Sequence, residues 1–302
     1  MLPAVLAAVF FALSAVVSQR SARIFGPVPA NCYRMCIACA ALGLITLCVD
    51  ASRGVSSLHG ELFGRYFVSG LVGFGVGDIA LFLAYAKLGS RLTILINWCA
   101  AALCAPLGDL WLRGRGLTLP QGLGVTAIMA GLVVALWPAG EGRKRHPASG
   151  VIFAINAGLG MAMGTVLSTQ ANDLAHGMGY EVHGISQAFQ RITAGVLAAV
   201  IALLFVKKYL PPRRPEDLKR QWKHKPFWLI STALIGPVLG VSCYQWAQLE
   251  LGSSAIVVAI AATSTLLVIP LARMMEKDTP GFRQSVGTLL AVAGVVVIKL
   301  YS

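Results

Sequence analysis

A succession of apolar runs, each about as long as a bilayer is thick, constrains this chain more than any other feature. Ten are legible, at residues 2–18, 30–49, 66–88, 91–112, 120–137, 149–170, 184–206, 227–250, 253–275 and 282–301. A helix needs roughly 20 such residues to cross the hydrocarbon core. In lipid only helices and closed barrels satisfy every backbone group internally. These runs lack the alternation of barrel strands, so they read as helices. Breakers fall between them: Gly26-Pro27-Val28-Pro29, Pro120, Pro138, Pro147, Pro211-Pro212, Pro226 and Pro280. Composition agrees, with 57% apolar residues and 12% charged. A soluble domain carries about 25% charge, and a disordered chain has the opposite bias. The first run precedes its first positive charges, Arg20 and Arg23, so it reads as a membrane helix and not a cleaved signal. The expected class is an all-α polytopic membrane protein with ten transmembrane helices.

The chain also repeats itself. Displaced by 163 residues, Gly73, Gly77, Gly89, Gly124 and Gly131 fall on Gly236, Gly240, Gly252, Gly287 and Gly294 without a gap. Ser90 and Gln121 fall on Ser253 and Gln284. Arg34 matches Arg191 at an offset of 157, and the longer segment 207–226 absorbs the difference. Chance gives scattered Leu and Val matches between apolar sequences, but rarely glycines in register with a Ser, a Gln and an Arg. The halves are expected at 1–138 and 149–302, with five runs in each. Five is odd, so the second half enters the membrane inverted. Inverted repeats in secondary transporters place the substrate near the midplane between the halves.

The net charge is +13. On a soluble chain that would point to nucleic acid. Here Lys and Arg number 18 in and beside the connections after odd-numbered runs, against four (Arg53, Arg65, Arg113, Arg115) after even-numbered ones. The positive-inside rule then puts the first set in the cytoplasm and both termini outside. Segment 207–225 supplies eight of the 18 and holds two aromatics, Tyr209 and Trp222, with no stacking pattern. It reads as topogenic in preference to an RNA- or lipid-binding patch. The expected partners are membrane lipids and a small solute, with no nucleic acid.

Cofactor chemistry has little support. Cys32, Cys36 and Cys39 share a helical face, but the five histidines lie in or beside polar segments, so no mixed Cys/His cluster forms. The cysteines read as small packing residues, and no metal or other cofactor is expected. No Walker loop is present, and Gly73-x-Gly75-x-Gly77 lies inside an apolar run, where it is no dinucleotide fingerprint. Neither an enzyme nor an ATP-driven pump is expected.

The polar residues inside the runs matter more. Asp78 sits mid-way along the third run. A charge there costs about 3 kcal/mol on insertion scales, so it takes a partner or faces a water-filled cavity. Arg34 is within reach of it. Two readings stay open: a proton- or substrate-coupling carboxylate, or a structural Asp–Arg pair locking the second and third helices. The repeat mate of Asp78 is Val241, an asymmetry that architecture alone does not require. The expected substrate-binding residues are Asp78, Asn97, Trp98, Asn156, Tyr244 and Gln245. Arg34 and Arg191 are expected to be structural or anion-facing.

Certain stretches resemble a known family. Ala84-Tyr85-Ala86-Lys87-Leu88-Gly89-Ser90 and its partner Trp246 to Ala255 are similar to the third-helix exit of EamA domains, of the drug/metabolite transporter superfamily. Met275-Glu276-Lys277, Gln284-x-x-Gly287 and Ala293-Gly294-Val295 resemble the family's ending, and Arg34 and Arg191 its second-helix arginines. The pattern departs at Arg113, where a Glu is expected, and at Pro106, displaced from the family proline. The resemblance implies a ten-helix carrier with two inverted five-helix repeats around a central cavity. It also implies cytoplasmic termini, opposite to the charge count. The combined expectation is a secondary active transporter of a small polar organic metabolite, amino-acid-like or related. It would work by alternating access, as an exporter in the bacterial inner membrane, with protons the candidate coupling ion and the chain a monomer or weak homodimer. The alternative is a lipid-linked sugar or lipid flippase, or carrier subunit, of the same fold.

Overall fold

The computed structural model describes residues 1–54, 56–136, 147–209 and 225–268, with residues 271, 286, 287, 289, 290, 293, 294, 296, 297 and 300 beyond them. The regular elements among the described residues are all helical. They are α1 (Leu2–Phe25), α2 (Pro27–Arg53), α3 (Gly60–Leu88), α4 (Ser90–Arg113), α5 (Leu119–Leu136), α6 (Ala148–Gly177), α7 (Gly184–Tyr209), α8 (Pro226–Leu251) and α9 (Ser254–Val268). Seven of these, α1 to α4 and α6 to α8, are long and apolar enough to cross a membrane. The expected tenth helix, 282–301, and the end of the ninth fall largely outside the described residues. Several helices outrun their apolar stretches: α1 continues through Arg20 and Arg23 to Phe25, and α6 through Asn172 and Asp173 to Gly177.

Single glycines make the sharpest reversals. Gly26, at φ 92°, joins α1 to α2, and Gly89, at φ 82°, joins α3 to α4. Both angles lie where side chains bearing a Cβ are strained. Such short joins make consecutive helices run in opposite directions. Gly26 and Gly89 therefore mark one end of the bundle, and Gly252, between α8 and α9, marks the other.

Inside the bundle small residues dominate. Ala4, Ala7, Ala8, Ala12 and Ala15 on α1 are buried, as are Ala154, Ala157, Ala162, Ala171 and Ala175 on α6. Large apolar side chains point outward at helical spacing: Leu103, Leu107, Leu110 and Trp111 on α4, and Leu197, Ile201, Leu204 and Phe205 on α7. Lipid tails are as apolar as leucine, so burying leucine gains little there, and close backbone packing supplies the association instead. Cys32 is buried with Val28, Ala199 and Leu203 between α2 and α7, while Cys36 faces outward.

The third helix of each half is interrupted at the same place. Residues Leu71–Gly77 of α3 and Leu234–Val241 of α8 are π-helical. Their starts lie 163 residues apart, the spacing of the repeat. A π turn carries an extra residue and widens the helix locally, and such turns concentrate at functional sites. In α3 the widened turn is glycine-rich. A Cβ on Gly164 of α6 would stand 2.9 Å from the Cα of Gly73, and one on Gly160 2.9 Å from the Cα of Gly77. In α8 the equivalent glycines meet α1: Gly236 lies against Ser14 and Gly240 against Phe11. The first helix of each half thus packs on the interrupted helix of the other half.

Candidate substrate cavity

The two interruptions face a central cavity whose water-accessible volume is about 90 Å³. At about 30 Å³ per water, its share of the liquid, this holds roughly three waters. Its walls are built from repeat mates. Gly73 and Gly236, Phe74 and Pro237, Asp78 and Val241, Leu81 and Tyr244, and Arg34 and Arg191 all line it. The cavity therefore sits where the halves meet.

The arginines repeat one another's contacts. The Arg34 guanidinium stacks 4.7 Å from the ring centre of Phe82, and Arg191 Nη1 donates to Gln245 Oε1 at 2.5 Å. Phe82 and Gln245 are mates at the 163-residue offset. Each arginine also reaches the glycine of the opposite half's π turn, Arg34 beside Gly236 and Arg191 beside Gly73. The symmetry breaks at one position. Asp78 forms an ion pair with Arg34, whose Nη2 also donates to Asn31 Oδ1 at 3.1 Å. Arg191 finds Val241 at the matching place, with Phe74 under its guanidinium at 5.1 Å. Both arginines are buried, and the Nε of each has no hydrogen-bond partner among the described residues.

Aromatic rings line the same cavity. Phe11 lies 6.0 Å from Trp98 and 5.6 Å from Tyr244, ring centre to ring centre. The Tyr244 hydroxyl lies 3.0 Å from Thr165 Oγ1. Asn97 Nδ2 approaches Met161 Sδ at 3.8 Å. The expected residues thus divide. Asp78, Asn97, Trp98, Tyr244, Arg34 and Arg191 line the cavity. Gln245 sits just behind Arg191, fully buried and outside the cavity lining. Asn156 lies elsewhere, exposed in an outward groove beside Leu71, Gly75 and Val76 of α3. Lining residues that the sequence did not single out for the site include Phe11, Ser18, Leu81 and Met161. Only Ser18 carried a signal, as a hydroxyl inside an apolar helix.

A polar seam runs from Arg191 toward the Gly252 end. Gln248 Nε2 donates to Gln245 Oε1 at 2.7 Å, Thr169 Oγ1 to Gln248 Oε1 at 3.3 Å, and Ser254 Oγ to Thr169 Oγ1 at 2.9 Å. The next backbone amide, Ala255 N, donates to Asp109 Oδ2 at 3.2 Å. Asp109 is held by Arg113, which also binds Asp173 and the Gly252 carbonyl. At the same end Met1 N pairs with Glu250 at 2.7 Å, and His183 Nε2 meets Asp50 Oδ1 at 3.0 Å. The sequence counted Arg113 as a loop charge, whereas in the fold it closes α4 from inside, with its side chain 1% exposed. Toward the Gly89 end the Ser18 and Thr232 hydroxyls lie 2.5 Å apart and Arg20 stacks 4.3 Å from the Trp228 ring centre.

The EamA-like transporter family profile matches residues 1–137 and again 148–300. The chain belongs to the EamA-like transporter family. It is accordingly a multi-pass membrane transporter of the drug/metabolite type, with a small-molecule substrate and a lipid surround. No curated protein matches its sequence. Among solved structures, one crystal structure aligns over 97% of this chain and 96% of its own, with a TM-score of 0.66 and 18% identity. That likeness extends to the fold alone. Within this EamA chain the cavity between the halves gathers Arg34, Asp78 and Arg191, while the buried Arg113–Asp109 pair lies apart at the Gly252 end.

Proposed function

We propose that this EamA protein is a secondary transporter that moves a small polar organic solute by alternating access around the cavity between its halves, 1–138 and 149–302, in a bacterial inner membrane. One observation carries the proposal: the cavity is walled by mates from both halves, with a π turn from each. In an inverted repeat, an exchange of conformations between the halves moves the opening from one end to the other while the site stays near the midplane. The π turns are the natural places for the third helices to bend, since the hydrogen-bond register changes there. Direction follows the gradients, so outward movement requires only a solute more concentrated inside. Asp78 and Arg34 form the charge pair that responds to the solute or to a coupling proton.

The test is flux in proteoliposomes, using a panel of small metabolites with and without an imposed pH gradient. Substrate-specific flux that the gradient accelerates, and that loses this acceleration in Asp78→Asn, supports the reading. Unchanged gradient-driven flux in Asp78→Asn removes the proton role. Absence of flux for every solute class sinks the transport reading.

A further inference from the structure

We propose, resting on the transport reading above, that the substrate is a small organic monocarboxylate whose carboxylate is received by Arg191. The cavity lining holds two guanidiniums, Arg34 and Arg191, and one carboxylate, Asp78. Asp78 is engaged by Arg34. Arg191 is 4% exposed and binds a neutral amide oxygen, Gln245 Oε1. Desolvating an unpaired ion costs several kcal/mol, and a neutral dipole offsets only part of that. The cavity lining therefore carries about one uncompensated positive charge.

Geometry agrees with charge. A guanidinium has five donors in a planar fork that matches a carboxylate. On Arg191 one Nη is committed to Gln245, while Nε has no partner among the described residues. Arg191 lies on the wall that also carries Gly73, where no side chain stands between guanidinium and cavity. Phe11, Trp98 and Tyr244 line the same cavity and offer an apolar surface for the rest of a small acid.

The same accounting disfavours other solutes. A cation meets net repulsion. A zwitterion needs a second acid for its ammonium, and the available one is paired with Arg34. A neutral polyol leaves Arg191 uncompensated. The accessible volume, about 90 Å³, suits a small solute.

The repeat supplies its own control. Val241 occupies, on the Arg191 side, the place that Asp78 holds on the Arg34 side. Val241→Asp should give Arg191 a resident counter-ion and displace the solute carboxylate.

The experiment uses the full chain in proteoliposomes, with lactate, its amide lactamide, alanine, choline and inorganic phosphate as probes. Lactate is expected to move at least tenfold faster than lactamide, alanine or choline, and phosphate to compete poorly. Arg191→Gln and Val241→Asp should each cut lactate flux at least tenfold, and Arg191→Lys less. The wild-type comparison needs no folded variant. Equal movement of lactate and lactamide overturns the inference, as does faster alanine or choline, stronger competition by phosphate, or unchanged lactate flux in a folded Arg191→Gln. Those results leave the transport reading standing. Absence of flux for all organic probes and a wider metabolite panel overturns both.

Discussion

Arg113 and Asp173 meet at 2.9 Å across α4 and α6, and the same guanidinium holds Asp109 at 2.9 Å. The two acids are not equivalent. The Asp109 side chain is 4% exposed and that of Asp173 is 37% exposed. Deleting one partner of a buried pair costs about 3–5 kcal/mol, whereas a pair open to solvent is worth about 1 kcal/mol or less. Arg113→Gln should therefore lower the thermal midpoint of the detergent-solubilised protein severely, and Asp173→Asn only slightly. Similar small shifts for both would show that solvent reaches the Arg113–Asp109 pair.

The glycines at the α3–α6 crossing can be tested against an open one. A Cβ on Gly164 would come within 2.9 Å of two backbone atoms, Gly73 Cα and Ser69 O. Backbone has no rotamer with which to give way, so the helices must separate, at about 1–3 kcal/mol for overpacking. Gly64, on the same α3, has nothing within 4 Å of such a Cβ. There alanine gains up to about 1 kcal/mol of helix propensity. Thermal unfolding should show Gly164→Ala destabilised and Gly64→Ala neutral or stabilised. The reverse order would contradict the crossing.

Alternating access requires both ends to open in turn. Ser18 and Thr232 meet toward the Gly89 end at 2.5 Å, and Ser57 and Ser186 toward the other at 2.6 Å. In a background stripped of the seven native cysteines, Ser18→Cys/Thr232→Cys and Ser57→Cys/Ser186→Cys should each cross-link under mild oxidation. Each cross-link should stop flux, and reductant should restore it. Full cross-linking at either end with flux intact would rule out opening there.

The Arg34–Asp78 pair should show strong coupling. Asp78→Asn leaves Arg34 buried with Asn31 as its acceptor, and Arg34→Gln leaves a buried carboxylate. Removing both removes both unpaired charges. A double-mutant cycle on thermal stability should therefore give a coupling energy toward the upper part of the usual range, about 2–3 kcal/mol. Additive losses would mean that the pair is screened by water in the free cavity.

Much of this was legible in the residues. The glycines in register at 163 foretold two equivalent third helices, and the lone carboxylate in an apolar run foretold its arginine. Asn156 shows where such reading runs out. It lies five residues before Met161 on α6, roughly 140° around the helix at 100° per residue, and so it faces away from the cavity. A polar residue in an apolar helix announces itself without announcing its direction. Arg113 was missed for another reason. At a helix end beside Gly114 and Arg115 it looks like a solvated charge, and its partners, Asp173 and Gly252, come from distant stretches of chain. The Arg191–Gln245 contact likewise joins residues 54 apart, and only the closing of α7 on α8 makes it.

The paired π turns also carry a record of ancestry. A duplication copies whatever its parent already possessed. The widened turn with its glycines recurs at Leu71–Gly77 and Leu234–Val241, so the single unit that was duplicated already carried it. Asp78 has no twin, since its counterpart is Val241. The hinge is the inheritance, and the difference between the two sides of the hollow is the later acquisition.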